Sequence, residues 1–197
     1  FERATGALTS FDPGVGGTVN ALAIANGVLF AGGSFSTAGG ATRDNLAGFA
    51  LPSGALTSFA PNPTNVVRAL SADGTIVYAG GDFTQWGGIA RSRVAAFDAA
   101  ALGGAVSPVT SFAPAVTGNV FAVRAAGGVI ALGGDISAVD GSPRSRVVVV
   151  DASGALLPFA PLLDSTVRSV AWKNGRLFAG GTFTSVDGAP YPRLASF

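Results

Sequence analysis

An all-β fold of four tandem copies is predicted by three features of this 197-residue sequence. Two markers recur in step, short apolar runs alternate with hairpin-type turns, and no window has helical periodicity. The first marker is Phe-x-Pro, at Phe11-Pro13, Phe59-Pro61, Phe112-Pro114 and Phe159-Pro161. The second is a Gly-Gly pair, at Gly32-Gly33, Gly80-Gly81, Gly133-Gly134 and Gly180-Gly181. Both series advance by 48, 53 and 47 residues, so they mark one unit of about 48 residues. The longer interval comes from roughly five extra residues within Ala100 to Pro108, as a loop insertion would give.

The second copy illustrates the unit. Val66 to Leu70 has strand character, an Asp73-Gly74 turn follows, and Ile76 to Ala79 completes a hairpin. Asn26-Gly27, Gly127-Gly128 and Asn174-Gly175 hold the same turn elsewhere; their residue types suit the positive φ of a two-residue hairpin loop. After the Gly pair comes Phe83 (Phe35, Ile136 and Phe183 in the other copies), then a polar loop and a third run, Val94 to Phe97. A turn of the Ser53-Gly54 kind opens a fourth run, seen as Leu56 to Phe59. Four short strands per copy cannot bury both faces of their own sheet, so neighbouring copies must cover them. That favours a β-propeller of four blades, each of four antiparallel strands, with repeats near residues 1-48, 49-96, 97-149 and 150-197.

The ends have an informative phase. Phe1 to Gly6 aligns with Phe49 to Gly54, and Leu194 to Phe197 with Leu46 to Phe49. The N-terminus is therefore expected to supply the fourth strand of a blade whose first three strands are C-terminal, closing a ring by strand pairing. Closure by four blades, pairing of two chains into eight, and membership of a larger ring all remain open. Small residues at Ala21, Ala69, Ala122 and Ser169 suit the strand nearest a tight axis.

The stretches "GVLFAGGSFSTAGGATRDNLAGFALPSGALTSFAP" and "TIVYAGGDFTQWGGIARSRVAAFDA" resemble the delta-60 type bacterial β-propeller repeats and, more distantly, kelch repeats. The resemblance spans essentially the whole chain, with Ile136 in place of the usual Phe and Tyr191 in place of the first loop Arg. It implies a propeller in a secreted or cell-surface bacterial protein, and assigns no activity. The start at Phe1 leads to the expectation of a piece of a longer parent chain.

Composition narrows the function. The net charge of +1 leaves no footprint for nucleic acid or an anionic membrane, and no apolar run is long enough for a membrane helix. Charged residues are 12% of the chain, against about 25% in typical soluble domains. Either small residues in stacked sheets explain this, or part of the surface is buried in an assembly. With no His or Cys, and with Glu2 and Lys173 the only residues of their types, catalytic triads and zinc sites have no parts. Asp pairs are left for acid–base work, and no spacing makes two converge. No catalytic residue, cofactor or metal is therefore expected.

The candidate ligand-binding residues are Arg43, Arg91 and Arg144 at one repeat position, Arg93, Arg146 and Arg193 two residues on, and Trp86. In a propeller the guanidinium groups would ring one face and could grip an acidic glycan, with Trp86 stacking on a sugar. The competing structural reading has each Arg bonding loop carbonyls or pairing with Asp82 or Asp135, and Trp86 packing between blades. The Gly pairs read as sites of close approach or bulges, and Asp140-Gly141 and Asp187-Gly188 as turn caps, since their spacing does not match a calcium loop. The expected function is a non-catalytic structural or protein-interaction propeller; its partners are other protein chains or further domains of a parent chain. A lectin-like role is the alternative.

Overall fold

A computed structural model describes residues 4–102 and 110–197. Most of the Ala100 to Pro108 insertion thus lies outside the described residues. The first repeat contains β1 (Val15–Ala25), β2 (Val28–Ala38), β3 (Ala41–Thr42), β4 (Leu46–Ala50) and β5 (Ala55–Leu56). The second has β6 (Val67–Asp73), β7 (Ile76–Gly81), β8 (Gln85–Trp86), β9 (Ile89–Ala90) and β10 (Val94–Asp98). In the third are β11 (Val116–Thr117), β12 (Val120–Ala126), β13 (Val129–Gly134), β14 (Ala138–Val139), β15 (Ser142–Pro143) and β16 (Val147–Asp151). The fourth adds β17 (Val167–Lys173), β18 (Arg176–Gly181), β19 (Ser185–Val186), β20 (Ala189–Pro190) and β21 (Leu194–Ser196).

The all-β class and the repeat hold, and the strand count needs correction. The main sheet has three antiparallel strands in the second, third and fourth copies and four, β1-β2-β4-β5, in the first, with a two-residue hairpin in each copy where a plain loop was expected. The expected fourth strand is reduced to β5 on β4 in the first copy and to a lone bridge between Val150 and Leu156 in the third. In the second copy a backbone bond from Thr110 to the Ala96 carbonyl marks its place among the described residues. The run fails as a strand because Phe59 turns off the sheet to insert between sheets, and Pro61 supplies no donor to a ladder.

The hairpin turns follow their chemistry. Asn26 and Gly27 have φ of 46° and 72°, and Asn174 and Gly175 have 50° and 75°, as a type I′ turn requires. In the second copy Asp73 pairs with Ile76, so the central residues are Gly74 and Thr75 rather than Asp73-Gly74. Gly74 alone has positive φ there, the type II′ preference.

The sheets stack through three apolar layers. Phe30 and Leu46 meet Val67, Val77 and Phe97, with Phe59 wedged among them. Tyr78 and Val94 meet Val120, Ile130 and Val148, with Phe112 in the corresponding role. Ala131 and Val147 meet Val167 and Leu177. Each wedge Phe is all but fully buried, worth about 1.5–3 kcal/mol in area removed from water. First strands pack in succession, β1 on β6, β6 on β12 and β12 on β17, with Ala69 and Ala122 buried among them. No comparable packing joins β17 to β1, and β21 pairs with β18 alone. The expected closing of a four-repeat ring by the N-terminal strand is therefore absent from the described residues; no strand forms across Ala4 to Ser10.

The two glycines of each pair do different jobs. A Cβ on Gly32 would stand 2.5 Å from Val67 Cγ1 of the next copy, on Gly80 2.5 Å from Val120 Cγ1, and on Gly133 2.6 Å from Val167 Cγ1. The first glycine is thus a socket for the following repeat. The second is closed off by its own sheet: at Gly81 the obstacle is the carbonyl of Val66, and at Gly134 that of Asn119. These carbonyls are aimed there by a bulge in each first strand, at Arg68 and Phe121.

Candidate binding face

The loop arginines divide into two rows, and both hold backbone. In the first row, Arg43 Nη1 donates to the Thr42 carbonyl at 2.8 Å and Nη2 to the Thr57 carbonyl at 2.9 Å. Arg91 does the same to Ala90 at 2.8 Å and Thr110 at 3.2 Å, and Arg144 Nη1 donates to Pro143 at 2.7 Å. Arg43 and Arg91 therefore strap the remnant of the fourth strand to the small hairpin. Their Nε atoms and that of Arg144 are buried without a partner, so the guanidinium planes lie against protein.

The second row has a backbone role that the sequence did not reveal. Asn45, Arg93, Arg146 and Arg193 all adopt left-handed backbone, with φ of 61°, 70°, 66° and 73°. From there each N–H reaches the carbonyl of Phe35, Phe83, Ile136 or Phe183 at 2.9–3.0 Å. Each carbonyl accepts from the second glycine of its pair, as Gly81 N–H does to Arg93 at 2.9 Å. Arg93 and Arg146 also donate through Nη1 to the carbonyls of Asp82 and Asp135. Asn45 Nδ2 donates to the Pro63 carbonyl at 2.9 Å. Arg193 is exposed.

For Trp86 the packing alternative holds and the sugar-stacking one does not. Its side chain is fully buried, 5.4 Å from the Phe83 ring and 5.7 Å from that of Phe97, so it offers no platform for a sugar. Ala38, Val139 and Val186 at the matching position are buried as well, and that apolar column was the available signal. Of the two structural alternatives for the loop arginines, bonding to loop carbonyls holds and pairing with the Asp82 or Asp135 side chains does not. Asp82 takes a bidentate pair from Arg68, at 2.8 and 2.6 Å, and Asp135 accepts from Thr166 Oγ1.

Arg68 belongs to a third row that no motif announced: Asn20, Arg68, Phe121 and Arg168, the bulge residues of the four first strands. The Arg68 and Arg168 guanidinium carbons lie over the Phe121 ring at 5.1 and 5.5 Å, a cation–π stack bridging three repeats. The hydrogen bond to Asp82 pushes Arg68 up from its ordinary pKa, against the opposing effect of burial. Arg68 is thus held charged and engaged by the Asp82 carboxylate, while Arg168 and Arg193 are exposed cations. The bulge row and the second arginine row meet at Asp82, whose carboxylate takes Arg68 and whose carbonyl takes Arg93, and the resulting face can touch anions with few free groups.

The acidic side chains serve turns. Asp140 Oδ1 accepts from Ala115 N–H and Asp187 Oδ1 from Leu162 N–H, both at 2.8 Å, and Asp140 and Asp187 themselves have φ of 50° and 51°. Asp164 accepts from the N–H groups of Thr184 and Ser185 at 2.7 and 3.1 Å and from Thr184 Oγ1 at 2.5 Å. These bonds, the hydroxyl's first, hold its carboxyl well below the usual range. Among the described residues no three His, Cys, Asp or Glu side chains converge as a metal cluster would.

No protein-family model matches this chain, and no curated protein does. Solved structures are similar in fold. The computationally designed Ika8 protein superposes with a TM-score of 0.56 at 16% identity, over 85% of this chain and 44% of its own. The chain therefore spans less than half the length of that protein. The computationally designed Ika4 protein gives 0.55 at 17% identity, over 91% of this chain and 90% of its own. BamB from Moraxella catarrhalis gives 0.46 at 16% identity, over 83% and 41%. At these identities the likeness to the designed proteins is one of fold: stacked antiparallel sheets in a repeated array.

Proposed function

We propose that the chain is a β-propeller, or half of one, that holds protein surfaces together and transforms no substrate. One observation carries this reading. The polar residues that recur with the repeat are engaged in the repeat's own backbone, while large apolar side chains stand exposed at the outer sheets, among them Leu22, Ile24 and Leu194 at 60%, 62% and 65%. The succession of first strands, each bulged and packed on the next, supports the propeller. The delta-60 resemblance adds the expectation of a bacterial, extracellular setting.

Sedimentation of the chain over a range of concentrations, run beside an array of sulfated and uronic glycans, tests the reading. Protein association with a flat array supports it. Saturable glycan binding by an unassociated chain, weakened about tenfold or more by Arg168→Ala or Arg193→Ala, would overturn it in favour of a lectin.

A further inference from the structure

The three internal joints between repeats share one construction, and the two outer sheets each carry half of it. Inside the array, the first glycine of a pair receives two apolar side chains from the next first strand. Gly32 receives Val67 and Leu70, Gly80 receives Val120 and Val123, and Gly133 receives Val167 and Val170. Gly180 has the same backbone place, and a Cβ there would meet only Ser169 and the Arg193 carbonyl of its own sheet. At the opposite end Val19 and Leu22 occupy the positions of Val67 and Leu70 in β1 and are 40% and 60% exposed, whereas Val67, Val120 and Val167 are wholly buried. The socket lies on the fourth sheet and the knobs on the first. Leu194 repeats the pattern: its counterparts Leu46, Val94 and Val147 have no exposure, and Leu194 has 65%.

The last strand makes the same case independently. In the first sheet β5 lies on β4 with Leu56 opposite Phe49; Thr57 Oγ1 donates to the Gly48 carbonyl at 3.0 Å, and the Thr57 carbonyl accepts from Arg43. Leu56 packs beside Gly39, where an added Cβ would meet it at 2.9 Å. The counterparts of Gly39, Arg43, Gly48 and Phe49 in the fourth sheet are Asp187, Tyr191, Ser196 and Phe197, and these four line an open cavity of about 270 Å³. The counterparts of Leu56 and Thr57 are Leu8 and Thr9 at the other end of the chain, and Leu8 is 90% exposed. The second half of that linking segment is already docked. Phe11 meets the Phe49 ring edge-on at 6.5 Å, as Phe59 meets Phe97 at 4.7 Å.

We propose that a second copy of this chain completes the fourth sheet, laying its Leu8 and Thr9 into the cavity beside Phe197 and its Val19 and Leu22 over Gly180, with the exchange made twice to close a two-chain ring of eight repeats. The inference rests on the protein-holding reading above and names the partner. A second copy fits because each exposed residue repeats a contact that an internal joint already makes. The eight repeats of two such arrays lie within the range of about four to eight blades that propellers show. Ends that meet head to tail form a ring when the rotation closes and a filament when it does not.

The test is the native mass of the 197-residue chain from about 1 to 100 μM, a range that spans ordinary specific affinities. The expected particle has twice the 19.4 kDa chain mass. Leu8→Asp and Leu194→Asp change exposed residues, so both variants should keep the wild-type far-ultraviolet spectrum and, at low concentration, its melting point. Each should weaken association about a hundredfold or more, because a carboxylate would enter an apolar joint unpaired. Mixed together, the two variants should give a mixed dimer, because one has an intact tail and the other an intact head. Filaments or larger multiples overturn the two-chain ring. A dimer indifferent to both substitutions, or a mixture that forms no mixed dimer, overturns the head-to-tail joint and leaves the protein-holding reading standing. A chain that stays single at every concentration overturns this closure, and glycan binding by that single chain would overturn the broader reading too.

Discussion

Replacing Gly80 with alanine isolates the contact that spaces one repeat from the next. The backbone at Gly80 has ordinary φ, so alanine meets no strain of its own there. Its Cβ would lie 2.5 Å from Val120 Cγ1 and 2.6 Å from Val123 Cγ2, about 1 Å inside a comfortable carbon–carbon separation. Overpacking of this kind costs about 1–3 kcal/mol. Against it stands a gain of about 0.4–1 kcal/mol from the lost freedom of glycine in the unfolded chain, so the net loss should be about 1–2 kcal/mol. Urea unfolding followed by tryptophan fluorescence gives the midpoint and slope. In a double-mutant cycle, Val120→Ala should relieve Gly80→Ala, with a favourable coupling of about 1 kcal/mol or more. Gly81→Ala should find no such relief, because its obstacle is the Val66 carbonyl. Gly180→Ala, measured where chains are single, should cost far less than Gly80→Ala. Equal losses at Gly80 and Gly180, or zero coupling to Val120, would refute the socket-and-knob account.

Three further outcomes follow from the site. Trp86→Ala should destabilise by about 3–5 kcal/mol in the same unfolding assay, as loss of a fully buried ring does, whereas Trp86→Phe should cost much less because the buried indole N–H has no partner to lose. Arg91→Ala should cost about 1–2 kcal/mol and speed amide exchange around Thr110, and unchanged exchange there would remove the strap. Asp164 has a carboxyl whose folded pKa lies below its ordinary 3.8, so its contribution is complete above that value and is lost as pH falls below it. Acid unfolding of Asp164→Asn should therefore respond less to pH below about 4 than that of the wild type; matching acid profiles would contradict the assignment.

What could be read in advance was whatever each copy spells with the same letters. Phe-x-Pro and Gly-Gly give the period, and the Gly-bearing turns give the hairpins, because their residue types answer local backbone demands. The fourth strand was over-read: Leu56 to Phe59 has strand composition, yet Phe59 is drawn into the layer between sheets, which only the neighbouring copy can reveal. Trp86 differs in size from its counterparts, which left sugar stacking open beside packing between blades; all four positions are apolar and all four are buried, so packing is the reading that holds. The bulge row escaped notice. Asn20, Arg68, Phe121 and Arg168 share a place but not one residue type, so no motif joins them in the sequence. The left-handed backbone at Arg93, Arg146 and Arg193 was hidden as well, since arginine carries no signature for positive φ.

The socket at the first glycine also has an evolutionary consequence. Gly32 answers to Val67, Gly80 to Val120 and Gly133 to Val167, so the residue that constrains each one lies in the following copy. Among descendants of this sequence, a side chain gained at a socket should survive only with a smaller residue 34 to 40 positions downstream, the separations of these three pairs. The second glycine has no such escape, because a main-chain carbonyl cannot mutate. A duplicated repeat would therefore be accepted or rejected by how its edges match its new neighbours. Inheritance in such an array acts on the joints as much as on the copies.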